Sequence, residues 1–158
     1  MINCTLLIQN GTYINDDAIE NLIHYIGKLD SPYQFCYGAW SPTKENIISI
    51  FNQTRLHFPD NKIDKQVQHL IFSFGKCHDI ALINTFSNQI AMYIAQQYPV
   101  YFALHDDSKH LHTHFAISTT SHIPNIPPLT NEKLHSFFPD FIHIALTNKI
   151  ILKDIIRK

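Results

Sequence analysis

The stretch Tyr101-Phe-Ala-Leu-His105-Asp-Asp-Ser-Lys-His110-Leu-His112-Thr-His114-Phe-Ala-Ile-Ser118 crowds histidines and two carboxylates into one short segment. Side chains of a strand alternate faces at about 3.3 Å per residue, so His112 and His114 project from one face roughly 6.6 Å apart. Leu111, Phe115 and Ile117 then turn the other way, into a core. Upstream, Tyr101, Ala103 and His105 share one face, and Val100, Phe102 and Leu104 share the other. Pairing the two runs as an antiparallel hairpin sets His105 opposite His112 and His114, across an interstrand gap of about 4.8 Å. The spacing predicts a hairpin and, on it, three imidazoles that one divalent ion can bridge.

Outward from the hairpin, the chain reads as alternating strands and helices. Cys4 to Ile8 is a short strand closed by the turn signal Asn10-Gly11. Asn15 or Asp16 is placed to cap a helix with Ile19, Leu22, Ile23 and Ile26 as its apolar stripe. Tyr33 to Trp40 reads as a strand, and Ser41-Pro42 as the start of a helix through Ile47, Ile48, Phe51 and Arg55. Val67 to Phe74 is strand-like, and Asp79 opens a long helix that ends near Tyr98-Pro99. After the hairpin comes a stiff segment, Ile123 to Pro128. A last helix, capped by Thr130 or Asn131, is interrupted near Pro139, and Ile150 to Ile156 fits either a strand or a helix. The fold class expected is α+β, with a central antiparallel sheet and helices packed mainly on one face. His112 and His114 would then lie on the open face. Residues 1–158 form a single domain in this reading.

Composition narrows the function classes. The 158 residues are 45% hydrophobic and 16% charged, which suits a globular domain with an ordinary core. No apolar run is long enough to cross a bilayer, and the N-terminus lacks the basic and small-residue marks of a signal peptide. Cys4, Cys36 and Cys77 are odd in number and share no metal-ligand spacing, so reduced thiols in a cytoplasmic protein are expected. A formal net charge of −1 gives no basic face to advertise a nucleic-acid partner. Arg55, Lys62 and Lys65, with Tyr37 and Trp40, and the basic C-terminal group Lys149, Lys153, Arg157 and Lys158, read as solvated surface.

The histidine set itself suggests a chemistry. A closed zinc site needs a fourth ligand, and no Cys lies nearby; His110 falls at the turn and is read as facing solvent. Three neutral imidazoles leave the charge of an ion uncompensated and its other positions open. That suits polarising an anionic oxygen such as that of a phosphodiester. Asp106 is read as a turn residue. Asp107 stays open between a turn residue and a hydrogen-bond partner that orients a ligand imidazole.

His105-x-Asp107 followed by Leu111-His112-Thr-His114-Phe-Ala-Ile-Ser118 resembles the third motif of plasmid mobilisation relaxases, members of the HUH superfamily of single-strand DNA endonucleases. Glu20-Asn-Leu-Ile-His-Tyr25-Ile26 resembles the helix segment that carries the catalytic tyrosine in that family. His69-Leu-Ile-Phe-Ser73-Phe74 and the helix after it resemble the middle strand–helix unit. Tyrosine precedes the histidine motif here, the relaxase order, and no tyrosine follows Tyr101. The resemblance implies an HUH-like relaxase fold in which Tyr25 attacks a phosphodiester of single-stranded DNA at an origin of transfer. Tyr33 is the alternative nucleophile. It further implies a divalent metal, Mn²⁺ or Mg²⁺, on His105, His112 and His114. The partners implied are accessory mobilisation proteins and a coupling protein. Ser118 stands where members commonly carry Asn, and Asp79 is the residue available for a Glu often found in the middle unit. Two other readings stand beside this one: a noncatalytic or decayed relaxase-fold DNA-binding protein, and a metal-binding structural module unrelated to DNA. The DNA-contacting residues are not assigned.

Overall fold

The hairpin forms in the register that the alternation predicts: strand β4 (Val100–His105) pairs antiparallel with β5 (His112–Ser118), His105 facing His112 and Ala103 facing His114. This is a computed structural model, and it describes residues 1–38, 43–107 and 109–158. The hairpin lies within a six-stranded sheet of order β2-β4-β5-β3-β1-β6. Its other strands are β1 (Ile2–Ile8), β2 (Gln34–Tyr37), β3 (Val67–Ser73) and β6 (Ile150–Arg157). Neighbours are antiparallel except β1 and β6, which run parallel. The segment that reads equally as strand or helix is therefore the edge strand β6. Its register slips between Cys4 and Thr5 of β1, so that Lys153 bulges. A bulge and adjacent charges, Lys153 and Asp154, blunt an edge that exposes Ile151, Ile155 and Ile156.

Five α-helices among the described residues cover the sheet: α1 (Ala18–Ile26), α2 (Lys44–His57), α3 (Ile80–Ala95), α4 (Asn131–His135) and α5 (Phe138–Thr147). On one face Phe72, Phe102, Phe115 and Ile117 pack with Phe86 and Ile90 of α3 and Phe141 of α5 in the larger core. Phe72 meets Phe86, Phe115 and Phe141 edge-on, at 5.3, 5.5 and 5.9 Å between ring centres. Most of the helices thus pack on one face. The opposite face, expected to be open, is partly covered. Ile19, Ile23 and Ile26 of α1 and Ile47 and Phe51 of α2 pack there on Val67, Tyr101, Ala103 and Ala116. This second core brings α1 to the histidines.

Local signals account for most element ends. Asp79 Oδ1 accepts from Leu82 N–H and Thr130 Oγ1 from Lys133 N–H, so α3 and α4 are capped as their sequences suggest. Pro139 sits in the first turn of α5, where its missing N–H costs no helical bond. Helix α1 departs from expectation: its N-cap position is Asp17, with no side-chain cap, and the Asn15 carbonyl takes the Ala18 N–H. Thr43 caps α2, accepting from Asn46 N–H. The expected strand end at Trp40, the helix start at Ser41-Pro42, and Ser108 in the hairpin turn lie outside the described residues. Cys4, Cys36 and Cys77 are free thiols. Among the described residues no helix is long and apolar enough to cross a membrane.

Candidate active site

His105 ends β4, and His112 and His114 lie on β5; parity along β5 and the pairing of His105 with His112 put all three imidazoles on the face that carries α1. One ligand nitrogen from each lies within 4.8 Å of the others, close enough for the three to hold a single metal ion. His105 and His114 are buried and His112 is half-buried, which leaves His112 on the solvent side of the group.

The other nitrogen of each ring is spoken for. His105 Nε2–H donates to the Ile26 carbonyl at 2.6 Å, because a carbonyl can only accept. His112 Nδ1–H donates in the same way to the His110 carbonyl at 2.9 Å. His114 Nδ1 meets Nε2 of His69 at 2.8 Å. Ligand imidazoles in metal sites are held in this way, with a partner on one nitrogen fixing the ring and directing the other nitrogen to the ion. The donor set therefore fits a divalent ion, with Nδ1 of His105 and Nε2 of His112 and His114 as the ligand atoms. For His114 to present Nε2 unprotonated, its Nδ1–H must donate to His69. His69 is then protonated on Nδ1, which faces the Tyr13 hydroxyl at 3.3 Å.

Burial keeps His69, His105 and His114 neutral. It pushes His114 down to about 2 and His69 down to about 4, and in both the neighbouring histidines add to the effect. His105 is lowered as well, chiefly by burial. In an unfolded chain a histidine titrates near ~6.5, so between that pH and the folded values the unfolded state binds more protons. Stability is therefore fully present above that pH and lost as pH falls through about 4 and on towards about 2. The metal-free protein should show a urea midpoint that drops steadily from pH 7 to pH 4; a flat midpoint across that window would contradict the buried neutral rings.

His69 is the residue that sequence reasoning missed. In the sequence it opens the run that resembles the middle strand–helix unit, with nothing local to tie it to the histidine hairpin. Antiparallel pairing of β3 with β5 sets His69 against Ala116 and Ile71 against His114, which places it diagonally beside the ligand histidine. Replacing it with alanine should weaken divalent-ion affinity by about 10- to 100-fold, read by calorimetric titration. Affinity equal to the wild type would make His69 a packing residue only.

Tyr25, near the C-terminal end of α1, packs its ring edge-on against His114 at 5.6 Å and His69 at 6.0 Å. It is 47% exposed, so one side of the phenol is open to solvent. The Lys28 ammonium lies 4.6 Å from the centre of the Tyr25 ring and adds a positive charge at the mouth of the site. Gly27 lets α1 end this close to the sheet. A Cβ there would lie 2.7 Å from Lys44 Cε and 3.1 Å from the Tyr101 hydroxyl.

Of the remaining sequence candidates, Asp107 lies beside the histidines and the others make contacts of their own. Asp107 Oδ1 lies 3.9 Å from His112 Nε2, at ion-pair rather than hydrogen-bond range. His110 is exposed and its Nδ1–H donates to the Gly75 carbonyl at 2.7 Å. Gly75 itself has a φ of +57°, a left-handed turn that side chains resist. The Tyr33 carbonyl accepts from Leu104 N–H at the edge of the sheet. Asp79 is the cap of α3, and Ser118 is fully buried with its hydroxyl on the Thr120 carbonyl. Arg55 is tied to Thr120 Oγ1 and to the Ile63 carbonyl, Tyr37 bonds Asn88, and Trp40 lies outside the described residues.

The family model described as "Relaxase: MobA/VirD2-like, nuclease domain" matches residues 25–126, a span from Tyr25 through the whole histidine hairpin. No curated protein and no solved structure matches the chain.

Proposed function

Since the chain belongs to the MobA/VirD2-like relaxase nuclease domains, we propose that it is a metal-dependent single-strand DNA endonuclease and transesterase that nicks at an origin of transfer and can reseal. The observation that carries this reading is the packing of the Tyr25 ring against His114, which joins a nucleophile to a metal-ligand set. Neither group alone separates a nuclease from an ordinary tyrosine or a structural metal site.

In the proposed reaction Tyr25 Oη attacks the phosphorus of a phosphodiester and the P–O3′ bond breaks. The strand is left with a free 3′-OH, and its 5′-phosphate is joined to the tyrosine. The phenolic proton leaves to solvent, which reaches the half-exposed ring, and the departing O3′ takes up a proton. One phosphoester is exchanged for another, so a 3′-OH can attack the phosphotyrosine and restore the strand. Lys28 draws the phosphate towards Tyr25. His105, His112 and His114 would hold the divalent ion, which when bound draws charge from the nonbridging oxygens. Of Mn²⁺ and Mg²⁺, Mn²⁺ suits this nitrogen set better, because Mg²⁺ favours oxygen ligands.

The test is covalent capture. The protein is incubated with a randomised single-stranded oligonucleotide pool and Mn²⁺, and detergent-resistant protein–DNA adducts are expected, suppressed by a chelator. Selective binding from the same pool with no adduct would instead make the protein a noncatalytic binder of DNA.

A further inference from the structure

Strand β6 closes the sheet on one side, and among the described residues no strand pairs with its outer edge. Such an edge offers a row of backbone donors and acceptors to another strand. The bulge at Lys153 and the adjacent charges Lys153 and Asp154 guard it. They oppose pairing with strands at large, but not the pairing of β6 with itself.

Residues that face each other across a ladder share a face of the sheet. Ile150, Leu152, Ile155 and Arg157 pair with Ile2, Cys4, Leu6 and Ile8 of β1, and so lie on the face of the larger core. Ile151, Asp154 and Ile156 pair with Asn3, Thr5 and Leu7 and lie on the face that carries α1. The extra residue at the bulge is what brings Ile151 and Ile156 to one face, since positions five apart in an unbroken strand point opposite ways.

Consider a second β6, antiparallel and related by a two-fold axis through the bulge. Ile151 then meets Ile156, Leu152 meets Ile155, and Lys153 meets Asp154, each pair occurring twice. Both apolar pairs share a face, and every charge at the centre faces its opposite. A shift of one residue either way sets Lys153 against Lys153 or Asp154 against Asp154, and puts Ile151 or Ile156 across from a side chain on the other face. Lys149, with a φ of +59°, turns out of the strand, so the ladder ends at Ile150 and does not set Lys149 against Lys158.

Helix α5 adds apolar surface on the same flank. Asp140 accepts from the Tyr93 hydroxyl of α3, and Ile144 lines a groove with Tyr93, so this side of α5 faces α3. Ile142 and Leu146 lie about 200° further round the helix, away from α3, and both are exposed. Because α5 also packs on β6, their flank lies on the side of the open edge.

We propose that β6 is the interface of a homodimer, in which two copies join edge to edge in this one register and Ile142 and Leu146 of the two α5 helices flank the seam. A two-fold axis perpendicular to the sheet keeps each face on its own side, so both histidine sites open on the same side of the joined sheets.

Sedimentation equilibrium of the protein is expected to show a reversible monomer–dimer equilibrium. Asp154→Lys sets lysine against Lys153, and Lys153→Asp sets aspartate against Asp154, twice in each dimer. Either reversal should weaken association at least about tenfold. The double variant Lys153→Asp/Asp154→Lys remakes both pairs, and its Kd should return to within about threefold of the wild type. Both positions are exposed, so circular dichroism should be unchanged throughout. The register is read separately, in a Cys77→Ser background. Ile151→Cys and Ile156→Cys proteins, mixed and oxidised, should form a disulfide-linked heterodimer, while neither should crosslink to itself. A Kd weaker than about 1 mM would leave the edge to some other occupant and overturn the proposal. So would reversals that leave association unchanged, a double variant no tighter than the single ones, or self-crosslinking of either cysteine protein.

Discussion

Tyr25→Phe is expected to abolish the covalent adduct, to below detection on a denaturing gel, while leaving the fold unchanged. The change removes a single oxygen. Phenylalanine keeps the edge-on packing against His69 and His114 and keeps the ring beneath Lys28. Because the ring is half exposed, deleting its hydroxyl should alter stability by no more than about 0.5 kcal/mol. Loss of the adduct would then report lost chemistry. Tyr33→Phe is the control: Tyr33 is also exposed, but it lies just before β2, at the sheet edge beyond β4. Adducts that persist in Tyr25→Phe and vanish in Tyr33→Phe would move the nucleophile to Tyr33. Adducts that persist in both would remove the tyrosine mechanism.

Substituting His105, His112 and His114 together with alanine should eliminate stoichiometric Mn²⁺ binding in a calorimetric titration, and adduct formation with it. The three rings supply the whole of the cluster that can hold an ion among the described residues. His114→Ala alone should already weaken binding severely and also destabilise the protein. It leaves the buried His69 Nε2 without its partner, a loss of about 1–3 kcal/mol in comparable cases. Stoichiometric binding that survives the triple substitution would place the ion elsewhere and end the assignment.

The hairpin was legible because its cause is local. Alternation along Tyr101 to His105 and along Leu111 to Ile117 sets which side chains share a face, and a short connection leaves little choice of register. The observed pairing of His105 with His112 follows from it. Helix caps at Asp79 and Thr130 were legible for the same reason, since a cap is a bond between near neighbours in sequence. The cap of α1 was not. Asn15 and Asp16 have the right chemistry, but the chain enters the helix one residue later, at Asp17. There Gln66 Nε2–H donates to the carbonyls of Ile14 and Asn15, a contact from β3's approach that no local pattern foretells.

Three imidazoles on one face of the hairpin follow from the sequence alone, because side-chain direction in a strand follows residue parity. The sequence also indicated Tyr25, through resemblance and motif order, without saying how near the histidines it would come. That nearness comes from the way α1 packs on the sheet. Helix α1 docks on a face expected to be open, since Ile19, Ile23 and Ile26 need apolar partners and find them on Tyr101, Ala103 and Ala116. The same docking delivers the Ile26 carbonyl to His105 and the Tyr25 ring to His114. His69 became part of the site in the same way, through pairing between β3 and β5 that joins residues 45 positions apart. Parity is carried by each strand alone. Proximity between elements depends on which apolar surfaces bury one another, and that is a property of the whole chain.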